Sequence, residues 1–408
     1  MDGERSDGEK QEIGAKSMNS LEEKSLKPYI DNIIEDALAA RHHLHRNPEL
    51  SRQEEQTSRF VANTLTALSL DEVKTGVGGF GVIGILRGNQ PGKVVALRAD
   101  MDALPIHEDS HLEYRSTRNG VMHACGHDGH TATLLGTAAT LSQLRDRIQG
   151  EVRFLFQPAE EIAEGAKAMC ADGALEGVDR IFGLHGWPGL AVGRIGVRNG
   201  AIMASADNFE ITIKGRGAHA AMPHKSIDPV IVAAHLVTAL QTLVSRETSP
   251  TDSLVVSVTQ INAGTANNII PETAEMKGTV RCLTQSMREA TPKNMERVVA
   301  GVCSALGAGY SFNYQFGTPV TVNAAEMSEM VAAVGSEVLG SENVVWLEAP
   351  SLGAEDFAIY LNQIPGAMFR LGVGENVTQL HTPTYNFGDD PVRVGIEMFT
   401  NLALRALE

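Results

Sequence analysis

The chain is short of cysteine, aromatic residues, basic charge and long apolar runs, and each shortage narrows what it can be. Four cysteines (Cys125, Cys170, Cys282, Cys303) occur in 408 residues, with no regular spacing. Such a set is no disulfide framework; it implies reduced thiols in the cytosol. Aromatic residues make up 5% of the chain, so Val, Ile, Leu and Ala must fill the core. The formal net charge of −16 argues against nucleic acid and anionic membrane surfaces as partners. No apolar run is expected to reach the roughly 18 residues that span a bilayer. Residues 1–27 are polar and lack an apolar signal core, and 1–20 is expected to be a disordered extension.

The length points to two domains. Ile30, Ile33, Ile34, Leu38 and Leu44 recur near helical spacing, predicting a helix over 26–45 that Asn47-Pro48 ends. A second helix is expected over 54–68. Apolar runs at 81–86, 94–98, 152–156 and 180–184 read as strands, with a buried helix over 129–143 among them. Strands alternating with helices imply an α/β fold with a mostly parallel, covered sheet. After Gly200 the rhythm changes. Residues 208–214 alternate like a half-exposed strand, 228–246 form a helix with Pro229 in its first turn, and 254–258 and 275–282 are strands. A helix over 291–306 and a strand over 310–316 complete a β-α-β-β-α-β order, that of a ferredoxin-like unit. The expected division is an extension over 1–20, a larger domain over 21–204 and 318–408, and an inserted domain over 205–317.

The densest chemistry is His123-Ala124-Cys125-Gly126-His127-Asp128-Gly129-His130, at the start of the buried helix. Taken singly, Cys125 or His127 is more simply a buried thiol or a solvated imidazole. Together, and with distant partners, they point to a metal, and Gly126 and Gly129 are expected to let the backbone bend around it. His123 and His130 are weaker, and at least one is expected to be structural. Glu160-Glu161 follows an apolar strand and Pro158, at the sheet edge where α/β sites form. One carboxylate can bind metal while its neighbour takes a proton from activated water. Asp102, after the strand ending near Arg98, either orients an imidazole ligand through its second nitrogen or serves a turn. His185 and His381 each stand at a turn beside glycine or proline and are further ligand candidates, although either alone is as readily structural. In the inserted domain, His219 could donate to an oxyanion, Asn268 offers a neutral donor, and Arg281 a fork for a carboxylate.

These segments resemble the aminoacylase/carboxypeptidase family of dinuclear metallohydrolases, and most closely its amidohydrolase branch of hippurate hydrolases, N-acyl amino acid amidohydrolases and auxin-conjugate hydrolases. The resemblance rests on Arg98-Ala-Asp-Met-Asp-Ala-Leu-Pro105, His123 to His130, Gln157-Pro-Ala-Glu-Glu161, Gly217-Ala-His-Ala220, Asn268-Ile-Ile-Pro271 and His381-Thr-Pro383, and spans 30–408. It implies a metallopeptidase-like catalytic domain with an inserted lid and dimerisation domain. It makes Cys125, His127, Glu161, His185 and His381 the ligands of two divalent ions per subunit, with Cys125 able to bridge. It makes Glu160 the general base, Asp102 the orienting residue, and His219, Asn268 and Arg281 substrate contacts. Many relatives carry a ligand histidine two residues before the orienting aspartate; here that place is Asp100. Zinc or manganese is expected, with nickel or cobalt as alternatives.

The implied reaction is hydrolysis of the amide of an N-acyl amino acid by a cytoplasmic homodimer, or a tetramer. The nearest rival is a dipeptidase or carboxypeptidase of the same chemistry. A rival of another class is a metal-dependent binding protein without turnover, against which an intact Glu160 counts. A structural dimer stapled by metal would need a closed set of ligands, and the surplus of acids argues against it.

Overall fold

The computed structural model describes residues 26–408, so the extension expected over 1–20 lies outside the described residues. The larger sheet has eight strands. In spatial order they are Glu72–Val77, Gly81–Arg87, Gln149–Gln157, Gln90–Asp100, Arg180–Pro188, Gly366–Gly374, Ile195–Val197 and Val344–Trp346. The third to sixth run parallel, while the first edge is an antiparallel pair joined antiparallel to them. The parallel strands are nearly continuous apolar runs because both faces are covered. Val95–Leu97, Phe154–Phe156, Ile181–Phe182 and Ala367–Phe369 are all buried. Helices Ile34–Arg46, His127–Ser142, Ala325–Leu339 and Asp390–Leu407 supply the principal core on one face. A smaller cluster around Met169, Phe357 and Tyr360 covers the other. The strand Gly366–Gly374, which follows the insertion in sequence, pairs with Arg180–Pro188, which precedes it.

The second sheet has the order Leu254–Ala263, Thr273–Cys282, Ala206–Lys214, Gly309–Thr318, all antiparallel. Helices Pro229–Thr242 and Gln285–Ala305 pack against it, enclosing Phe209, Ile211, Ile213, Leu236, Met276 and Val299. This is the ferredoxin-like arrangement.

Several elements differ from expectation. The helix foreseen over 26–45 is two helices, Lys27–Asp31 and Ile34–Arg46. The helix foreseen from Thr291 begins at Gln285, because Thr284 supplies the cap: its Oγ1 accepts the Met287 N–H at 3.3 Å. Pro292 therefore lies inside this helix rather than near its start. The segment Pro229–Glu247 is long and apolar enough, by length and composition alone, to cross a membrane, which corrects the expectation that no such run exists. Here it packs Val232, Leu236, Leu240 and Leu243 into the core of the inserted unit.

Candidate metal centre and active site

Three parallel strands bring their carboxyl ends to one edge, the usual position of α/β sites. Gln90–Asp100 ends just before Asp102, Gln149–Gln157 leads into Glu160 and Glu161, and Arg180–Pro188 carries His185. The helix His127–Ser142 starts at the same edge and is buried throughout except for Ala139 and Ser142. Gly126 caps it at φ 87°, a left-handed conformation that favours glycine. Gly129 serves differently from expectation. It is helical, and its missing side chain admits the Phe387 ring; a Cβ would lie 2.3 Å from Phe387 Cδ1.

All five expected ligands meet. Their donor atoms form overlapping sets, each with every atom within 4.8 Å of the others: Cys125, His127 and His185; Cys125, Glu161 and His381; and His127, Glu160 and Glu161. Cys125 Sγ is 3.4 Å from His185 Nε2. Glu161 Oε1 is 3.8 Å from His127 Nε2 and 3.6 Å from His381 Nε2. Asp102 lies behind this group. His127 Nδ1–H donates to the Asp102 carbonyl at 2.9 Å, with the carboxylate Oδ1 at 3.3 Å. Asp102 Oδ2 accepts from Ser51 Oγ at 2.6 Å and from the Glu161 amide at 3.0 Å. His185 Nδ1–H donates to the Gly186 carbonyl at 2.8 Å, which leaves Nε2 an acceptor facing Cys125 Sγ.

The electrostatics fit a divalent pair. Buried polar atoms are normally bonded, yet His127 Nε2 and Glu161 Oε1 are buried without a hydrogen-bond partner. Burial pulls the His185 imidazole down to about 3, with His130 adding to the effect, so it stays in the neutral, ligating form. Burial also pulls on His127, but Asp100, Asp102 and Glu161 outweigh it and hold the ring up to about 10. Burial pushes Glu160 well above the ordinary carboxylate range, with Glu355, Asp356 and Glu161 adding and Arg98 opposing. Glu161 is pushed up to about 7, chiefly by burial. The Cys125 thiol is raised by burial, then by Glu161 and Glu160. Bound cations would reverse this crowding of acids. A thiol shared by two ligand sets, together with three imidazoles and a carboxylate, suits two divalent ions.

The model of Peptidase family M20/M25/M40 matches residues 96–405. The chain belongs to that family. It is 48% identical over 308 residues to an N-acyl-L-amino acid amidohydrolase of Geobacillus stearothermophilus, covering 74% of this chain and 82% of the relative. It is 40% identical over 388 residues to thermostable carboxypeptidase 2 of Saccharolobus solfataricus, covering 93% and 98%. Among solved structures, a Bacillus subtilis protein described as a dinuclear metal binding peptidase from M20 family superposes with a TM-score of 0.83, at 38% identity over 92% of this chain and 99% of that one. The M20/M25/M40 chain described here is thus a metal-dependent amide hydrolase of α/β metallopeptidase fold.

Several residues of this M20/M25/M40 site escaped sequence reasoning. Arg98 is fully buried and holds Asp100 at 2.7 Å, Glu355 and Asp356 at 3.0 Å, and Gln157 at 2.8 Å. Glu355 and Asp356 also lie within 4.8 Å of Glu160. The signal was present but weak: an arginine ending an apolar strand, and two acids before a buried Phe357. His130 and His123, by contrast, were singled out in the sequence, with at least one expected to be structural; His130 is locked, with Nδ1–H donating to Asp100 at 2.6 Å and Nε2 accepting the Gly186 amide at 2.8 Å. His123 is buried with neither ring nitrogen bonded. Glu54 Oε1 accepts the Ala159 amide at 2.8 Å.

The three residues expected to touch substrate all sit on the inserted unit. His219 is exposed on the short strand Ala218–His219, opposite Ile269. Asn268 is exposed and takes the Ala220 amide on its carbonyl at 3.0 Å. Arg281 is half-buried and bonded to Thr279 and to the Val280 carbonyl. Among the described residues, His219 joins no set of candidate metal ligands.

Proposed function

We propose that this enzyme hydrolyses the amide bond of N-acyl amino acids. The observation that carries the reading is a half-buried carboxylate, Glu160, set against His127 and Glu161 beside the sets that share Cys125. Pure ligand binding has no need of such a base.

In this reading Cys125, His127, Glu161, His185 and His381 hold two divalent cations, zinc or manganese in the first instance. When bound, the cations acidify a water molecule and polarise the acyl carbonyl. Glu160 takes the water's proton and returns it to the leaving amine. Asp102 fixes the His127 ring and, through the Glu161 amide, the carboxylate beside it. His219 donates to the oxyanion, Asn268 binds a substrate carbonyl, and Arg281 holds the free α-carboxylate. Because these three lie in the inserted unit, they reach the metal edge by closure of that unit or from a second copy of the chain. The homodimer is proposed to form through the inserted unit over 205–317. Its edge strand Leu254–Ala263 is exposed from Thr259 to Ala263, Ile261 included, and Ile231 is exposed on the helix Pro229–Thr242. The catalytic parts are 21–204 and 318–408, and four free thiols fit a reducing cytoplasm.

Glu160→Ala tests the central role. Turnover should fall at least about a hundredfold while the metal content stays at the wild-type value. Near-normal turnover would remove Glu160 from the mechanism. The 40% identity to a carboxypeptidase supports a second reading, cleavage of a peptide. A panel of N-acetyl, N-benzoyl and indole-acyl amino acids set against dipeptides separates the two by kcat/KM.

A further inference from the structure

In a chain this acidic, buried guanidinium groups normally sit against carboxylates. Arg41 meets Asp128 and Asp389, Arg98 meets Asp100, Glu355 and Asp356, and Arg288 meets Asp207. Arg198 and Arg281, half-buried without a carboxylate, are bonded to carbonyls or a hydroxyl instead, and Arg370 differs from all of these. It is half-buried on the strand Gly366–Gly374, and its Nε is buried with no hydrogen-bond partner. No acidic side chain pairs with it among the described residues. Burial, and then the charge of Arg198, push it down to about 10. Arg198 itself is committed to the carbonyls of Ala201, Leu347 and Glu348.

The position of Arg370 is informative. It is the register partner of His185 on the neighbouring parallel strand, so the two side chains share a sheet face. Its guanidinium carbon lies 3.8 Å from the centroid of the Trp187 ring, and that ring lies 5.9 Å from the His185 ring. Stacking holds the planar fork flat and leaves its edge to meet a planar anion. A partly desolvated, unpaired cation is unfavourable, and a carboxylate carried in by the substrate would relieve it. The α-carboxylate of an N-acyl amino acid is only a few bonds from the scissile carbonyl. With the α-carboxylate assigned to Arg281, a carboxylate met by Arg370 on the face it shares with His185 is a second one.

We propose that Arg370, stacked on Trp187 beside the metal edge, binds a second carboxylate of the substrate, carried by the amino-acid side chain or by the acyl group. The inference rests on the N-acyl amino acid reading for its substrate, and it makes acidic members of that class the preferred ones.

Two matched pairs test it: N-acetyl-glutamate against N-acetyl-glutamine, and N-succinyl-alanine against N-butanoyl-alanine. The metal-loaded wild type should prefer the acid in one pair by roughly tenfold or more in kcat/KM, and the pair concerned identifies where the carboxylate is carried. Arg370→Met should erase that preference through KM while changing the neutral partner less than about twofold. Arg370→Lys, which keeps the charge and loses the fork, should retain part of it, and it serves if the methionine variant folds poorly. Absence of preference in both pairs, or a preference that survives in Arg370→Met, overturns the proposal. Calorimetric titration of the same four compounds into metal-loaded Glu160→Ala protein, with and without Arg370→Met, reads the subsite without turnover. Discrimination by binding in the absence of any hydrolysis would sink the N-acyl amino acid reading and leave the subsite standing.

Discussion

The two units bury charge very differently. At the metal edge the larger unit buries Glu54, Arg98, Asp100, Asp102, His127 and Asp128, and sets the half-buried Glu160 and Glu161 against His127. In the inserted unit, Asp207 and Arg288 are the only buried charged side chains among the described residues. Taking charges out of water costs several kcal/mol each unless partners repay it. The first unit meets that cost with a network that also fixes the ligand geometry, so its chemistry is preorganised. The second meets it with one structural pair and leaves His219 and Asn268 in solvent. Chemistry is therefore built into rigid strand ends, while recognition has to be delivered to it.

The largest expected effect separates the units outright. Stripping divalent ions with a chelator should reduce activity to background, and activity should return when zinc or manganese is added back. All candidate ligands lie in the larger unit, so thermal protection by added metal should be confined to it. Hydrogen exchange resolved along the chain would show this: amides of Val95–Leu97 and Phe154–Phe156 lose protection without metal, and those of Phe209–Ile213 do not. Equal loss in both units would mean that the division is false.

The converse experiment targets the inserted unit. Asp207 accepts from the Arg288 guanidinium at 2.8 Å, from Tyr314 Oη at 3.0 Å and from the Gly317 amide at 2.9 Å. Asp207→Ala strands a buried arginine, which should cost about 3–5 kcal/mol. Denaturant unfolding and exchange over 206–318 should register the loss, with metal content unchanged. A loss of metal in this variant would show that the two units are coupled through their cores.

The same contrast explains what the sequence revealed. The central parallel strands were readable because burial on both faces makes them continuous apolar runs. The edge strand Glu72–Val77 was not, since its side chains are mostly exposed and carry no apolar pattern. Candidate ligands stood out where Cys125 and His127 crowd one helix start, and Glu161 stood out after an apolar strand. The supporting residues did not, because their partners are far away in the chain: Arg98 meets Asp356 across 258 positions, and no local spacing encodes that. The helix expected over 291–306 was placed too late in the chain, because its cap, Thr284, lies seven residues upstream of Thr291.

Glu54 sharpens the comparison with the smallest effect. Its carboxyl group is fully buried, Oε1 holds the Ala159 amide at 2.8 Å, and Oε2 has no partner. Burial pushes it up to about 7. Ala159 is a non-glycine residue at φ 53°, a conformation that costs on the order of 1 kcal/mol and persists only when its surroundings impose it. From that turn Glu160 and Glu161 project, so Glu54 is a positioning residue that acts through Ala159. Glu54→Ala leaves a buried amide unpaired, at about 1–3 kcal/mol, and frees the turn to relax. Turnover should fall roughly tenfold at unchanged KM. Glu54→Gln keeps a carbonyl acceptor at the same place and should restore turnover to within about twofold of wild type, which a simple packing role for the side chain would not require of Glu54→Leu, the control of similar bulk. If glutamine and leucine behave alike, the turn holds itself and the preorganisation ascribed to the larger unit begins only at Asp102.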